Sequence, residues 1–461
     1  MRSRNGLTLI LAALCLAAGA GYCQYVEDSI DVGGWNQSGL VYNSRAGVVY
    51  GRCYYGDNFF AIACSTNELV AQIPLMGPIA TAYASTVNKA YCTFSYHGGD
   101  SVLVVDGSTH QRIKAVRIDG AYLPVWDSVS NRLYISCFDY DEIAVFDCGT
   151  DSVLERIPIP GEPVKMAINT KRRKLYVQND YDMTVSVIDM NTNQVIRNVY
   201  VGSWFFCAAY SEVADKYYCN GTQGVAVICG AGDTLIRQIR LPQGYLAKAM
   251  VSVEPESLVM VATYSGGADS VFMLDVGRNE VRSAIRVGSS PKALVYSMAT
   301  HLVYCANSGW DNLSVIAEDG SKVLSQVAVG DGPMALCVCS GEEKLYVGHG
   351  GMTNMVYAVC DRLGVAEEAG SFAEIGYERW RAAPSPFSSQ VWLERVGKGR
   401  APAAVSVYSQ DGRFVRGLAE GQGGRYVWNG RDTRERRVAP GVYFAVVTGS
   451  QLERVRLVKA E

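Results

Sequence analysis

Apolar and polar residues alternate along most of this chain in runs too short for helices. Lys174 to Gly202, KLYVQNDYDMTVSVIDMNTNQVIRNVYVG, shows the unit: LYVQ, TVSVID and VIRNVYV, separated by NDYDM and MNTN. β-Branched and aromatic residues at period two, bounded by Asn and Asp, predict a strand meander. The Leu-Tyr position of this unit recurs at Tyr50, Tyr91, Tyr134, Tyr176, Tyr218, Met260, Tyr304 and Tyr346, at intervals of 41 to 44 residues. Eight copies at that period, each with four short strands, predict an all-β fold: a β-propeller of eight four-stranded blades. Seven blades is the alternative if one degenerate copy is absorbed elsewhere. The copies at 205–229 and 248–275 diverge most, with Cys229 in place of a strand-end Asp and Met260 in place of Tyr.

Within each copy the first strand is apolar after Gly or Pro, as in PVKMAIN, PKALVYS and PMALCVC, which suits an innermost strand buried on both faces. The third often ends in Asp (Asp106, Asp147, Asp189, Asp275), read as a turn cap before hairpin residues such as STN, TNQ, TDS, GRN and AGD. Tyr25 to Gly33, YVEDSIDVG, has the pattern of a copy's end, as in AIRVG and QVAVG. It predicts an N-terminal strand that completes the last blade and hides the edges of an open ring.

Past about Gly370 the period stops. The segments VWLERV, AAVSVYS, RYVWNG, GVYFAVVTG and RVRLVKA predict a small β-sandwich of about 80 residues over 376–461. At the other end Arg2 and Arg4 precede the apolar run Leu7 to Ala18, with Ala18-Gly19-Ala20 as a cleavage site. This predicts a signal peptide over 1–20 and export, with the propeller over 25–365. Tyr22 stands where lipidation of Cys23 would want a small residue.

A formal net charge of −3, with 19% charged residues, supplies no basic field to draw the chain to nucleic acid or an anionic membrane. The 14 cysteines lie mostly inside strand patterns, where small buried hydrophobes serve. Cys53/Cys64 and Cys137/Cys148 stand at the same spacing in two copies. That repeated register leaves cross-strand disulfides open beside free buried thiols.

The run LYVQNDYDMTVSVIDMNTNQVI resembles the YVTN-type β-propeller repeat, a relative of the surface-layer and lactonase-like propellers. The resemblance spans roughly 25–365 and implies the fold; the family mixes surface proteins, binding modules and a few enzymes. PSPF, VSVYSQDGRFVRGL, YVWNGRD, APGVYFAVV and RVRLVK resemble, in order, the flagellar-hook-cap-like immunoglobulin module and the type IX secretion C-terminal sorting domain. That likeness implies delivery or attachment, although Arg434-Glu435-Arg436 replaces the usual Gly-containing turn.

No nucleophile elbow or phosphate loop is present. Of the four histidines, His110 and His301 fall in turns on one rim and His97 and His349 near the other, in different blades and without ligand spacing, so neither a catalytic set, a metal site nor a cofactor is expected. One constellation remains. The loops leading from a fourth strand into the next first strand carry Trp35, Tyr122, Trp204 (beside Phe205) and Tyr245. The loops between second and third strands share that rim and carry Asp57, Asp100, Asp141, Asp182, Asp269 and Asp311, with Tyr140, Tyr181 and Trp310 beside them. Flat rings and short acids suit stacking on a sugar or gripping a peptide, and the acids equally suit turn formation. The expected function is a non-enzymatic binding or scaffold protein, exported to the cell surface, the periplasm or the medium. A protein, peptide or glycan partner is expected on the rim, and secretion or cell-envelope machinery at the C-terminal module. The alternative is a propeller hydrolase or lactonase acting on a small ester or sugar.

Overall fold

The computed structural model describes residues 24–95, 99–204, 207–222, 224–242, 245–265, 269–361 and, towards the C-terminus, 379–383, 390–396, 404–409, 414–419, 425–439, 441–448 and 452–459. The expected leader at 1–20, His97, Phe205 and the Gly364 to Ala373 stretch lie outside these residues. The chain divides into two compact units, one up to Ala366 and one from Glu367.

The first unit is an eight-bladed β-propeller, every blade a four-stranded antiparallel sheet. Blades 1 to 7 span Gln37–Pro74, Pro78–Arg117, Ala121–Pro158, Pro163–Tyr200, Ala208–Arg240, Leu246–Arg286 and Pro291–Ala328. Blade 8 takes three strands from Pro333–Cys360 and its outermost from Val26–Asp31, which pairs antiparallel with Met355–Cys360. The N-terminal strand therefore closes the ring. The divergent copies form complete blades 5 and 6, which settles eight over seven.

The hydrophobic core lies between blades. Val49, Phe60 and Ile62 of blade 1 pack with Ile30, Val32, Cys339, Tyr346 and Val356 of blade 8, and equivalent clusters fill the other junctions. Turn chemistry sets the hairpins. Asn67, Asp151, Asn193, Asp233 and Asn279 each take φ between 50° and 58°, the left-handed region that Asn and Asp tolerate best. The strand-end acids cap these turns. Asp106 accepts backbone N–H bonds of 2.8 Å from Ser108 and Thr109, and Asp147 accepts one of 2.7 Å from Thr150.

The repeating Tyr has a role the alternation does not reveal. Its hydroxyl crosses to the next blade's outer turn: Tyr134 donates to Asn193 Oδ1 (3.1 Å), Tyr304 to Asp361 Oδ1 (2.6 Å) and Tyr346 to Asn67 Oδ1 (2.7 Å). Lysines at the start of the same strands reach the same turns. Lys89 meets Asp151, Lys174 meets Asp233, and Lys216 donates to Val276 O and Asn279 Oδ1. At these junctions a polar pair thus bolts neighbouring blades beside the apolar seam; blade 6 carries Leu258 and Met260 at the Lys and Tyr positions, and the Tyr176 and Tyr218 hydroxyls are buried without a hydrogen-bond partner.

The second unit has a three-stranded sheet, Arg379–Ala383, Val391–Val396 and Tyr426–Trp428. Its four-stranded sheet runs in the order Phe414–Leu418, Ala404–Ser409, Gly441–Thr448, Leu452–Lys459. Val391, Leu393, Tyr426 and Trp428 of the first pack with Val405, Val407, Tyr443 and Ala445 of the second, making a small β-sandwich. Glu435 adopts φ +59° where a glycine would fit without strain, and Asp432 accepts the N–H groups of Arg434 and Arg436 to hold that turn.

Candidate binding rim and central channel

The turns between second and third strands and the loops from fourth to first strands meet on one rim, and the acids join them. Asp57 Oδ1 accepts from Gly77 N (3.0 Å), Asp100 Oδ2 from Gly120 N (2.7 Å), and Asp141 Oδ1 from Glu162 N (2.8 Å). Asp269 Oδ2 likewise accepts from Ser290 N (2.6 Å), and Asp311 Oδ1 from Gly332 N (2.9 Å). One carboxylate oxygen in each of these five blades therefore ties a hairpin tip to the following interblade loop. Asp182 sits against Gly161, where a Cβ would come within 2.9 Å of its carboxyl carbon.

The aromatics divide. Tyr245 is partly buried, packed on the seam of blades 5 and 6, with its ring edge-on to Phe272 at 5.2 Å. Trp35 is half-buried and stacks on Tyr55 at 4.6 Å. Tyr122 lies 5.7 Å from Phe138. Trp204 is 63% exposed. The hairpin tips are open too: Tyr55, Tyr140, Trp310 and, at 75%, Tyr181. These tips, rather than the interblade loops as a set, present the flat apolar rings of the rim.

The described histidines have structural partners. His110 Nδ1 lies 2.7 Å from Tyr50 OH, and His301 Nδ1 lies 3.0 Å from Glu318. His349 is buried, with its ring nitrogens 3.0 Å from Met355 O and 2.7 Å from Val329 O. No group of three or more His, Cys, Asp or Glu that could hold a metal occurs among the described residues.

The two cysteine pairs are not cross-strand partners, which corrects the disulfide reading. Cys53 lies opposite Asn58 and Cys137 opposite Glu142, whereas Cys64 and Cys148 follow Ala63 and Asp147 at the far ends of their strands. Six residue steps along the strand separate the members of each pair by roughly 20 Å, well beyond disulfide reach. All four thiols are free and buried.

A cavity of about 490 Å³ occupies the central channel. In seven blades the ladder between the first and second strands slips by a bulge near the channel. A bulge frees a residue from pairing and re-aims its side chain. Lys165 of blade 4, Lys248 of blade 6 and Lys292 of blade 7 sit in those slips and line the cavity. Around them are Leu123, Val125, Met166, Met250, Leu294 and Met334. No Asp, Glu or His is among the described residues that line it. Burial lowers the pKa of Lys165; burial and then the charge of Lys292 lower that of Lys248. Burial pushes the Cys207 thiol up to about 12, against the pull of the Lys165 and Lys248 ammonium groups. The sequence reading passed over these lysines as members of apolar strands. Their signal was a lone cation recurring within the first three positions of an inner strand, in PVK, LAK and PK.

Neither a protein-family model nor a curated protein matches the chain. Solved structures do, 1469 chains in all, a breadth that belongs to a fold rather than to one activity. One is the dihydro-heme d1 dehydrogenase NirN in complex with DHE: 10% identity, TM-score 0.56, covering 66% of this chain and 68% of that one. At that identity the likeness concerns the propeller fold alone.

Proposed function

We propose that this is a non-enzymatic binding protein, exported to the cell surface, periplasm or medium, whose propeller recognises a protein, peptide or glycan on its aromatic rim. The observation that carries the reading is the set of exposed rings on Tyr55, Tyr140, Tyr181, Trp204 and Trp310 around one face. Acids clip several of the hairpin tips to the adjoining loops, as at Asp141 and Asp311. Rigid rings lose little entropy when a sugar or peptide stacks on them. The YVTN-type resemblance agrees with a recognition disc. The leader pattern at 1–20 supports export. The likeness of the C-terminal sandwich to hook-cap and type IX sorting modules supports a role in delivery or attachment to secretion or envelope machinery. The hydrolase alternative finds no support among the described residues of the channel lining, which include neither a histidine nor a carboxylate.

The test uses the purified full chain on glycan and peptide arrays beside a Tyr181→Ala/Trp310→Ala variant. Binding by the parent and its loss in the variant, at unchanged melting temperature, are expected. Equal binding by both overturns the rim as the recognition surface. A chain ending at Ala366 should be exported yet fail to remain at the surface, and normal display of it on cells removes the sorting role.

A further inference from the structure

We propose that Cys64 and Cys339 are a site of oxidation, forming a disulfide that locks the ring where its last blade meets its first. Cys64 follows the third strand of blade 1, and Cys339 ends the inner strand of blade 8. Equivalent positions face each other at other junctions. Ser297 Oγ of blade 7 donates to Asp361 Oδ2 of blade 8 at 2.6 Å, and Asn43 Nδ2 of blade 1 donates to Gly107 O of blade 2 at 3.0 Å. Only at the closing seam does cysteine stand on both sides. Cys339 is paired with Lys344 on the adjoining strand, and Lys344 Nζ donates to Cys64 O at 2.7 Å. Both thiols lie in one buried cluster with Cys337 and Tyr346. The Cys339 thiol, in hydrogen-bond contact, lowers the pKa of Cys64 against the effect of burial, and burial raises that of Cys339. Cys337 is a poor partner for Cys339: two residues apart on one strand, their Cβ vectors run parallel at about 7 Å, beyond disulfide reach.

The oxidant is itself a disulfide, of the thiol-exchange class that oxidising compartments supply. The Cys64 thiolate attacks one of its sulfurs, forming a mixed disulfide and releasing the other sulfur as a thiolate. The Cys339 sulfur then attacks Cys64 Sγ, and its proton goes to the second thiolate as that leaves. The protein gives up two electrons, and the oxidant ends as two thiols. Ser65 and Thr66 beside Cys64, and Ser340 beside Cys339, are exposed, so opening of these turns suffices to bare the pair. The loop so closed contains nearly the whole ring, and closure of long loops gains most.

In the cell the inference rests on the export part of the proposed function; its test supplies the oxidant directly, so the two fail separately. The full chain is incubated with oxidised glutathione at the foot of its melting transition and blocked with N-ethylmaleimide in denaturant. Chymotryptic peptides are then mapped by mass spectrometry without reduction. Cleavage at Tyr54, Tyr55, Phe59 and Phe60 parts Cys53 from Cys64. A peptide linking Cys64 to Cys339, lost on adding dithiothreitol, is expected, with a melting temperature about 5 °C above that of the reduced protein. Cys337→Ala should keep the link and the shift, and Cys339→Ala should lose both. The proposal is overturned if the parent yields no such peptide, if Cys339 is found joined to Cys337 or to glutathione in its place, or if oxidation does not raise the melting temperature. Should Cys339→Ala fail to fold, the parent's peptide map with and without dithiothreitol still decides.

Discussion

Arg173, in the first turn of blade 4, donates two parallel hydrogen bonds of 2.6 Å from Nη1 and Nη2 to Oδ1 and Oδ2 of Asp127, at the end of the inner strand of blade 3. Asp127 is 1% exposed and also accepts N–H bonds of 3.1 Å from Val129 and Ser130. Burial works against its charge, but the guanidinium, the Ser130 hydroxyl and the two N–H groups outweigh that and hold its pKa at about 2. The pair ties two blades on the face opposite the aromatic rim.

Because the folded pKa is depressed, the stabilisation is present above the ordinary carboxylate range and is lost as pH falls through about 2. A shift of this size corresponds to about 2 kcal/mol. Acid unfolding followed by tryptophan fluorescence should show Asp127→Asn less stable at pH 7 by roughly 3 kcal/mol, since it strands a part-buried guanidinium. The gap between variant and parent should narrow between about pH 4 and pH 2. A gap that stays constant across that window refutes the linkage.

The interblade bolts predict a graded series. Tyr134→Phe removes one hydroxyl bonded to Asn193 and should cost about 1 kcal/mol. Lys174→Met removes the partner of Asp233, a largely buried carboxylate, and should cost about 2–3 kcal/mol. Denaturant unfolding of both variants checks the order, and a Tyr134→Phe loss exceeding that of Lys174→Met contradicts it.

Much of the propeller was legible because strand alternation, the Leu-Tyr period and Asn or Asp turn positions all report local geometry. The orphan YVEDSIDVG could be placed in the last blade because a fourth-strand pattern before any first strand has one way to be satisfied in a closed ring. The Tyr hydroxyls, the Lys174–Asp233 pair and the Arg173–Asp127 fork were not legible, since their partners lie in a neighbouring blade some 45 to 60 positions away. The Cys53/Cys64 reading failed for a register reason. Equal spacing within a hairpin shows that two copies fold alike, not that the two positions face one another. The channel lysines were hidden by their apolar neighbours, and only a bulge re-aims them.

Closure by the N-terminal strand predicts a large effect from a short deletion. Ile30 and Val32 are buried in the seam of blades 8 and 1, and Val32 N bonds to Asn354 O at 2.9 Å. Removing 24–33 empties that seam and bares the edge of the strand ending at Cys360. The melting temperature should fall by on the order of 5 °C or more, with increased self-association from the open edge. A truncated chain that melts like the parent and stays monomeric contradicts closure.

Cys53, Cys137 and Cys148 predict chemical silence. Burial raises the pKa of Cys53 to about 12 and those of Cys137 and Cys148 to about 11. Thiolate, the reactive form, is then scarce at pH 8. Iodoacetamide should leave these residues unlabelled in the folded protein and label them after denaturation, as read by peptide mass spectrometry. A peptide linking Cys53 to Cys64, or Cys137 to Cys148, contradicts the register.

The rim aromatics separate by what surrounds them, and alanine replacement should reveal it. Tyr245 fills part of the seam between blades 5 and 6 and meets Phe272 edge-on, so Tyr245→Ala removes packed atoms that the neighbouring blades cannot replace. It should cost about 2–4 kcal/mol. Trp204 presents most of its surface to water, so Trp204→Ala should change stability by no more than about 0.5 kcal/mol. Trp35 stands between them: it is half-buried, but its stacking partner Tyr55 is itself exposed, so an intermediate loss of about 1 kcal/mol is expected. Thermal melts of the three variants order them as Tyr245, Trp35, Trp204. If Trp204→Ala proves as damaging as Tyr245→Ala, its ring is structural and leaves the binding surface, which would then rest on the hairpin tips alone.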